Sequence, residues 1–141
     1  NSRFQLRLIS LLISMDDYEG TLRTISDYLD KGTKPAEPDL SLTKIWQVRA
    51  YLGLGEIELA KSTFAEIDPV FHGDRDQLPG WSVAWYILTD GQLHDLASSR
   101  GQALSAYKEI LSIARNTYVN ITILDAARAG LSEPYQLHNE Q

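Results

Sequence analysis

Apolar residues recur at spacings of three and four along nearly the whole chain, and no stretch sustains the strict alternation of a strand. The pattern predicts an all-α fold. A first helix is expected from about Arg3 to Met15. A second follows to about Asp30, with Asp16 as its N-cap and Glu19 three residues on completing a capping box. "KGTKPAEPD" reads as a loop, because Gly32, Pro35 and Pro38 cannot share a regular element. Asp39 or Ser41 caps a third helix running to about Leu52. "GLGE" then interrupts, with Gly53 suited to the left-handed end of one helix and Gly55 to the start of the next, and the fourth helix ends near Asp68-Pro69. After the loop "VFHGDRDQLPG", Pro79 opens a fifth helix to about Leu96, and Ser99 with Gln102 starts a sixth to about Ala114. A seventh is expected from Thr117 to Ala129, stopping at Gly130, before the polar tail "LSEPYQLHNEQ".

Plotted at about 100° per residue, the first helix has two apolar sides. Phe4, Leu8, Leu11, Leu12 and Met15 form a stripe expected to pack on the helix after it. Leu6, Ile9 and Ile13 form a second seam nearly opposite, leaving Arg7, Ser10 and Ser14 as the polar wedge. A helix apolar on two sides expects neighbours on both. The Leu6, Ile9, Ile13 seam is therefore assigned to an upstream helix of a parent chain or to a second copy, with cover by the next helix pair as the alternative.

The helices come in pairs, with tight turns inside each pair and longer loops between pairs, at about 3–30, 39–68 and 79–114, plus a capping helix at about 117–129. "VRAYLGLGEIELAKSTFAEI" carries Tyr51, Gly55, Ala60 and Phe64, and "GQLHDLASSRGQALSAYKEIL" carries Gly91, His94, Ser98, Ala103 and Tyr107. In these residues the chain resembles the tetratricopeptide repeat. In the amino-terminal pair Asp16, Thr21 and Ile25 take the corresponding places, with Ile9 where a small residue is wanted. The small position recurs at Thr21, Ala60 and Ala103, spaced 39 and 43 residues apart, against about 34 for the family. The resemblance implies stacked antiparallel helix pairs in an α-α superhelix, and a non-enzymatic protein-protein interaction scaffold. It also implies a concave groove lined by the first helices, here Arg3, Arg7, Trp46, Arg49, Trp85, Thr89 and Gln92, that takes a peptide, helix or subunit. The Lys and Asn clamp by which some members hold a terminal carboxylate is absent, since Leu6, Ser10, Arg49, Leu42 and Thr89 stand at those places.

With 141 residues, 43% hydrophobic and 23% charged, the chain has the composition and length of one globular domain. The net charge of −6, with neither half net positive, argues against nucleic acid or an anionic membrane surface as partner. Cysteine is absent, which removes disulfides, thiolate zinc sites and a thiol nucleophile and leaves the compartment open, the cytoplasm being the default. The longest apolar run, Leu8 to Ile13, is broken by Ser10 and is far below the roughly 20 residues that span a bilayer. The chain opens on Asn1 rather than Met, so a piece of a longer protein or a processed product is expected.

His94 with Asp90 or Asp95 is the nearest approach to an acid/base or metal cluster. It offers too few ligands, and the repeat pattern already explains His94 as a packing aromatic. Asn120-Ile121-Thr122 is a glycosylation sequon inside an expected helix. No catalytic residue, metal ligand or cofactor is assigned. A purely structural packing or oligomerisation module is the second reading, and a helical enzyme or ligand domain built on His94 the third.

Overall fold

The computed structural model describes residues 2–30, 35–36, 39–72, 78 and 80–137, except for the side chains of residues 2, 3, 68–70 and 72. Over these residues the chain is all-helical. It forms α1 (Ser2–Ser14), α2 (Tyr18–Leu29), α3 (Asp39–Gly53), α4 (Ile57–His72), α5 (Gly80–Leu96), α6 (Arg100–Ile113) and α7 (Ile121–Ser132).

Three of the connections share one hydrogen-bonded turn. After α1, the Asp17 N–H donates to the Leu12 carbonyl at 3.0 Å and the Asp16 N–H to Ile13 at 3.1 Å. After α3, Glu56 donates to Tyr51 at 2.8 Å and Gly55 to Leu52 at 3.1 Å. After α5, Ser99 donates to His94 at 2.8 Å and Ser98 to Asp95 at 3.1 Å. Each is a Schellman closure, which needs a left-handed residue just past the helix. Asp16 (φ 59°), Gly55 (φ 77°) and Ser98 (φ 60°) supply it. The residue after each then directly precedes the next helix, so only three residues separate the two helices of a pair. Five residues beyond each left-handed position stand Thr21, Ala60 and Ala103, all fully buried. Thr21 tolerates that place because its hydroxyl donates to the Asp17 carbonyl at 2.7 Å.

Several expected boundaries move. Asp17, not Asp16, caps α2, its carboxylate accepting from the Gly20 N–H at 3.0 Å; Asp16 is taken up by the left-handed position, which Asp fills better than most residues. Gly55 rather than Gly53 bends left-handed, for the same reason of register. Ser99 is the N-cap of α6 but makes no side-chain cap bond, so no capping box forms there. α4 runs through Pro69 to His72 at the expense of one intrahelical bond. Its last turn is anchored by Phe71, fully buried with its ring stacked on Tyr86 at a centroid distance of 4.5 Å. α7 starts at Ile121, where Asn120 accepts from the Thr122 N–H at 2.7 Å, and it continues through Gly130. Pro79 and most of the two long loops lie outside the described residues.

The chain divides into two compact units, Asn1–Val70 and Phe71–Gln141. In the first, α1 packs on α2 and α3, and α2 on α3. In the second, α5 packs on α6 and α7, and α6 on α7. Ile9, Ile25, Ile45 and Val48 are fully buried in the first unit; Tyr86, Leu88, Tyr107 and Ile110 are fully buried in the second. Each such side chain is worth about 1.5–3 kcal/mol of burial.

Gly55→Ala forces a Cβ into a left-handed turn and is expected to destabilise the chain by about 1 kcal/mol, as read in urea unfolding. Ala103→Leu overfills a close helix crossing and is expected to cost about 1–3 kcal/mol in the same measurement.

Candidate interaction site

The residues assigned to a partner groove fall on α1, α3 and α5, and the helix faces treat them differently. In the first unit Arg7 is exposed, Arg49 is half-buried and Trp46 keeps 6% of its surface. In the second unit Trp85 is half-buried. Thr89, one turn on, is fully enclosed and its hydroxyl donates to the Trp85 carbonyl at 2.8 Å, while Gln92 is 5% exposed. A hydroxyl bonded back onto its own helix is a packing solution rather than a presented contact. The side chains these faces leave within reach of a partner are Arg7, Arg49 and Trp85; the Arg3 side chain lies outside the described residues.

On α1 the two apolar sides exchange roles. Ile9, at the middle of the Leu6, Ile9, Ile13 seam, is fully buried, and Leu6 and Ile13 are partly covered. The stripe expected to pack on α2 is the one that stands open, with Phe4 64%, Leu11 55% and Met15 64% exposed. Periodicity finds both sides of a helix but carries no sign to say which side faces α2 and α3.

A buried polar cluster centres on Asp95, which the sequence presents only as a neighbour of His94. The Asp95 carboxylate is 1% exposed. It takes the Arg100 guanidinium at 3.0 Å on both oxygens, the Tyr107 hydroxyl at 2.7 Å and the Tyr135 N–H at 2.9 Å. Three donors making four hydrogen bonds satisfy the carboxylate in low dielectric, and they tie α5, α6 and the segment after α7 together. Arg100 and Tyr107 reach it because the tight turn after α5 folds α6 back along it. Burial, and then the hydrogen bond to Asp95, push the Tyr107 phenol well above its ordinary range. The ring is gripped on both edges: a Cβ on Gly91 would lie 2.8 Å from it, and one on Gly130 2.5 Å. That close approach is why α7 carries glycine in its interior, where the sequence suggested a stop.

His94 Nε2 lies 3.3 Å from Asp90 Oδ1, both groups being about one-third exposed. Asp95 is turned away into its own cluster, so the three residues form no common centre. Among the described residues no three His, Asp or Glu side chains group to hold a metal ion, and no helix is long and apolar enough to cross a membrane. Comparison with protein-family models, with curated proteins and with solved structures finds no match to this chain.

Two outcomes follow from the Tyr107 packing. Gly130→Ala is expected to cost about 1–3 kcal/mol by overpacking, whereas Gly101→Ala, whose Cβ meets nothing within 4 Å, is expected to gain about 0.5–1 kcal/mol; paired thermal melts check both. The second outcome concerns alkaline pH. The unfolded phenol loses its proton near pH 10 and the folded one keeps it, so its stabilisation is complete below about pH 10 and is lost as pH rises further, by up to about 1.4 kcal/mol per unit. Tyr107→Phe is expected to flatten that alkaline fall while lowering stability at neutral pH by about 1–3 kcal/mol, as followed by urea unfolding across the pH range.

Proposed function

We propose that this chain is a non-enzymatic helical-repeat scaffold of tetratricopeptide type, a module that binds a peptide, helix or subunit along the faces of its first helices. The observation that carries the reading is the recurrence of one Schellman turn after α1, α3 and α5, each followed five residues later by a fully buried Thr or Ala. The left-handed residues Asp16, Gly55 and Ser98 repeat the 39- and 43-residue spacing of those buried positions. Repeated helix pairs that bury one face against the next present the other as an extended binding surface. The packing of α1 with α2 and α3, and of α5 with α6 and α7, supports the same habit. Within the first unit Arg49 on α3, and within the second Trp85 on α5, are the recognition residues of their own helix faces, an arginine and an aromatic being the side chains that dominate binding hot spots.

Selection against a displayed library of random peptides tests this. Enriched peptides should bind the purified chain, and Arg49→Glu or Trp85→Ala should weaken binding by about tenfold or more, equivalent to about 1.4 kcal/mol, at a temperature where circular dichroism shows each variant to be folded. Trp46→Ala is unsuited to the purpose, because it hollows a buried site at a cost of about 3–5 kcal/mol. Peptides whose binding ignores both variants would move recognition off these faces. Stoichiometric metal in the purified chain, lost in His94→Ala, would replace the scaffold reading with one built on the His94 and Asp90 pair.

A further inference from the structure

We propose that the chain pairs with a second copy of itself through the open side of α1, the two α1 helices lying antiparallel across a two-fold axis. Neither Arg49 nor Trp85 enters this proposal.

Phe4, Leu11 and Met15 are each more than half exposed and fall within an arc of about 40° that runs about 16 Å along the helix. Leu8, half-buried, lies beside them. A two-fold interface must be self-complementary, residue i meeting j while j meets i. This stripe has that property. About an axis between positions 9 and 10, Phe4 opposes Met15 of the second copy and Leu8 opposes Leu11, so large side chains meet at both ends and branched ones in the middle.

Charge selects the same arrangement. α1 contains Arg3 and Arg7 in its first half and no acidic residue, and its last turn holds no base. Exposed Asp16 and Asp17 follow directly after it. α2, α3 and α4 each carry an acid in the first turn, the sign that the helix macrodipole favours. α1 has the opposite polarity at both ends. An antiparallel second copy answers this, bringing each cationic end against the other copy's carboxylates and setting the two dipoles in opposition. An anionic lipid surface answers only the arginine end.

Sedimentation equilibrium of the 141-residue chain from micromolar to millimolar concentration is the test. The weight-average mass should climb from 15.9 kDa toward twice that value. Leu11→Glu, at an exposed position, should hold the chain monomeric with an unchanged helical melt. Arg7→Glu alone and Asp16→Lys alone should each weaken the dimer by about tenfold or more, because each sets like charges together in both halves of the interface. Mixed in equal amounts, the two variants should recover heterodimer in part, since positions 7 and 16 then carry opposite signs across both halves while Arg3 still faces the altered position 16 of one copy. A chain monomeric at millimolar concentration overturns the proposal, and so does a dimer that persists in Leu11→Glu. Charge variants that stay dimeric alone, or fail to recover on mixing, overturn the antiparallel arrangement. Binding of a monomeric chain to phosphatidylserine vesicles, lost in Leu11→Glu, assigns the face to lipid instead.

Discussion

The left-handed residue between the two helices of a pair is the constraint from which the rest of the fold follows. With Asp16, Gly55 and Ser98 closing α1, α3 and α5, only three residues separate each helix from the next. The chain therefore has no slack with which to hold the helices apart, and their backbones must cross closely near the turn. That closeness dictates the small residue five positions on, filled by Thr21, Ala60 and Ala103. It also dictates the bulky residue four positions further, Ile25, Phe64 and Tyr107, which fills the widening gap between the helices. Two of the three left-handed places are not glycine, each at a cost of about 1–2 kcal/mol relative to a right-handed residue. The strain persists because the helices on either side hold the turn in place.

In the second unit the same geometry produces a buried ion pair. Folding α6 back along α5 brings Arg100 and Tyr107 to Asp95, and the path of the chain after α7 adds the Tyr135 N–H. Ion pairs in low dielectric recover their desolvation cost only when every lone pair is met, and here the carboxylate is met four times. The network's value lies in selection among packings. An apolar residue at Asp95 would pack comparably, but it would not require Arg100, the Tyr107 hydroxyl and the Tyr135 amide to converge on one point. Tyr107 is fixed twice over, by its hydroxyl on Asp95 and by the glycines pressed to its edges.

The sequence made the helical class and the buried Ala60 and Ala103 legible, because those rest on periodicity and on residue size, which are local properties. It placed the left-handed end of α3 at Gly53, two residues before Gly55, because either glycine could take that conformation until the turn set the register. Asp16 and Ser98 were not legible as left-handed, because the demand comes from the turn and not from their own preference. The cap of α2 was misplaced by one residue for the same reason, two adjacent aspartates being equally good caps until the turn claims the first. Gly130 looked like a terminator because only the Tyr107 ring, 23 residues earlier in the chain, explains a glycine inside α7. The enclosure of Thr89 and Gln92, and the exchange of faces on α1, depend on which neighbours a helix has, and no pattern within the helix records that.

What remains open after these demands are met is limited. Among the described residues no buried side-chain nitrogen or oxygen lacks a partner, so recognition falls to side chains that reach solvent. Trp81, Tyr118 and Ile121 are exposed, but exposed apolar residues on different elements are ordinary at a protein surface. Phe4, Leu11 and Met15 differ because they share one side of one helix, where their apolar areas combine. The net charge of −6 sets a repulsive field against acidic partners and against other copies, yet in physiological salt that field is screened beyond about 8 Å. At contact distance the sign is set locally, by Arg7 and Arg49 and by the carboxylates that follow α1. A chain acidic overall can therefore hold a second acidic chain, provided that the contact is confined to the surface where its positive charges lie.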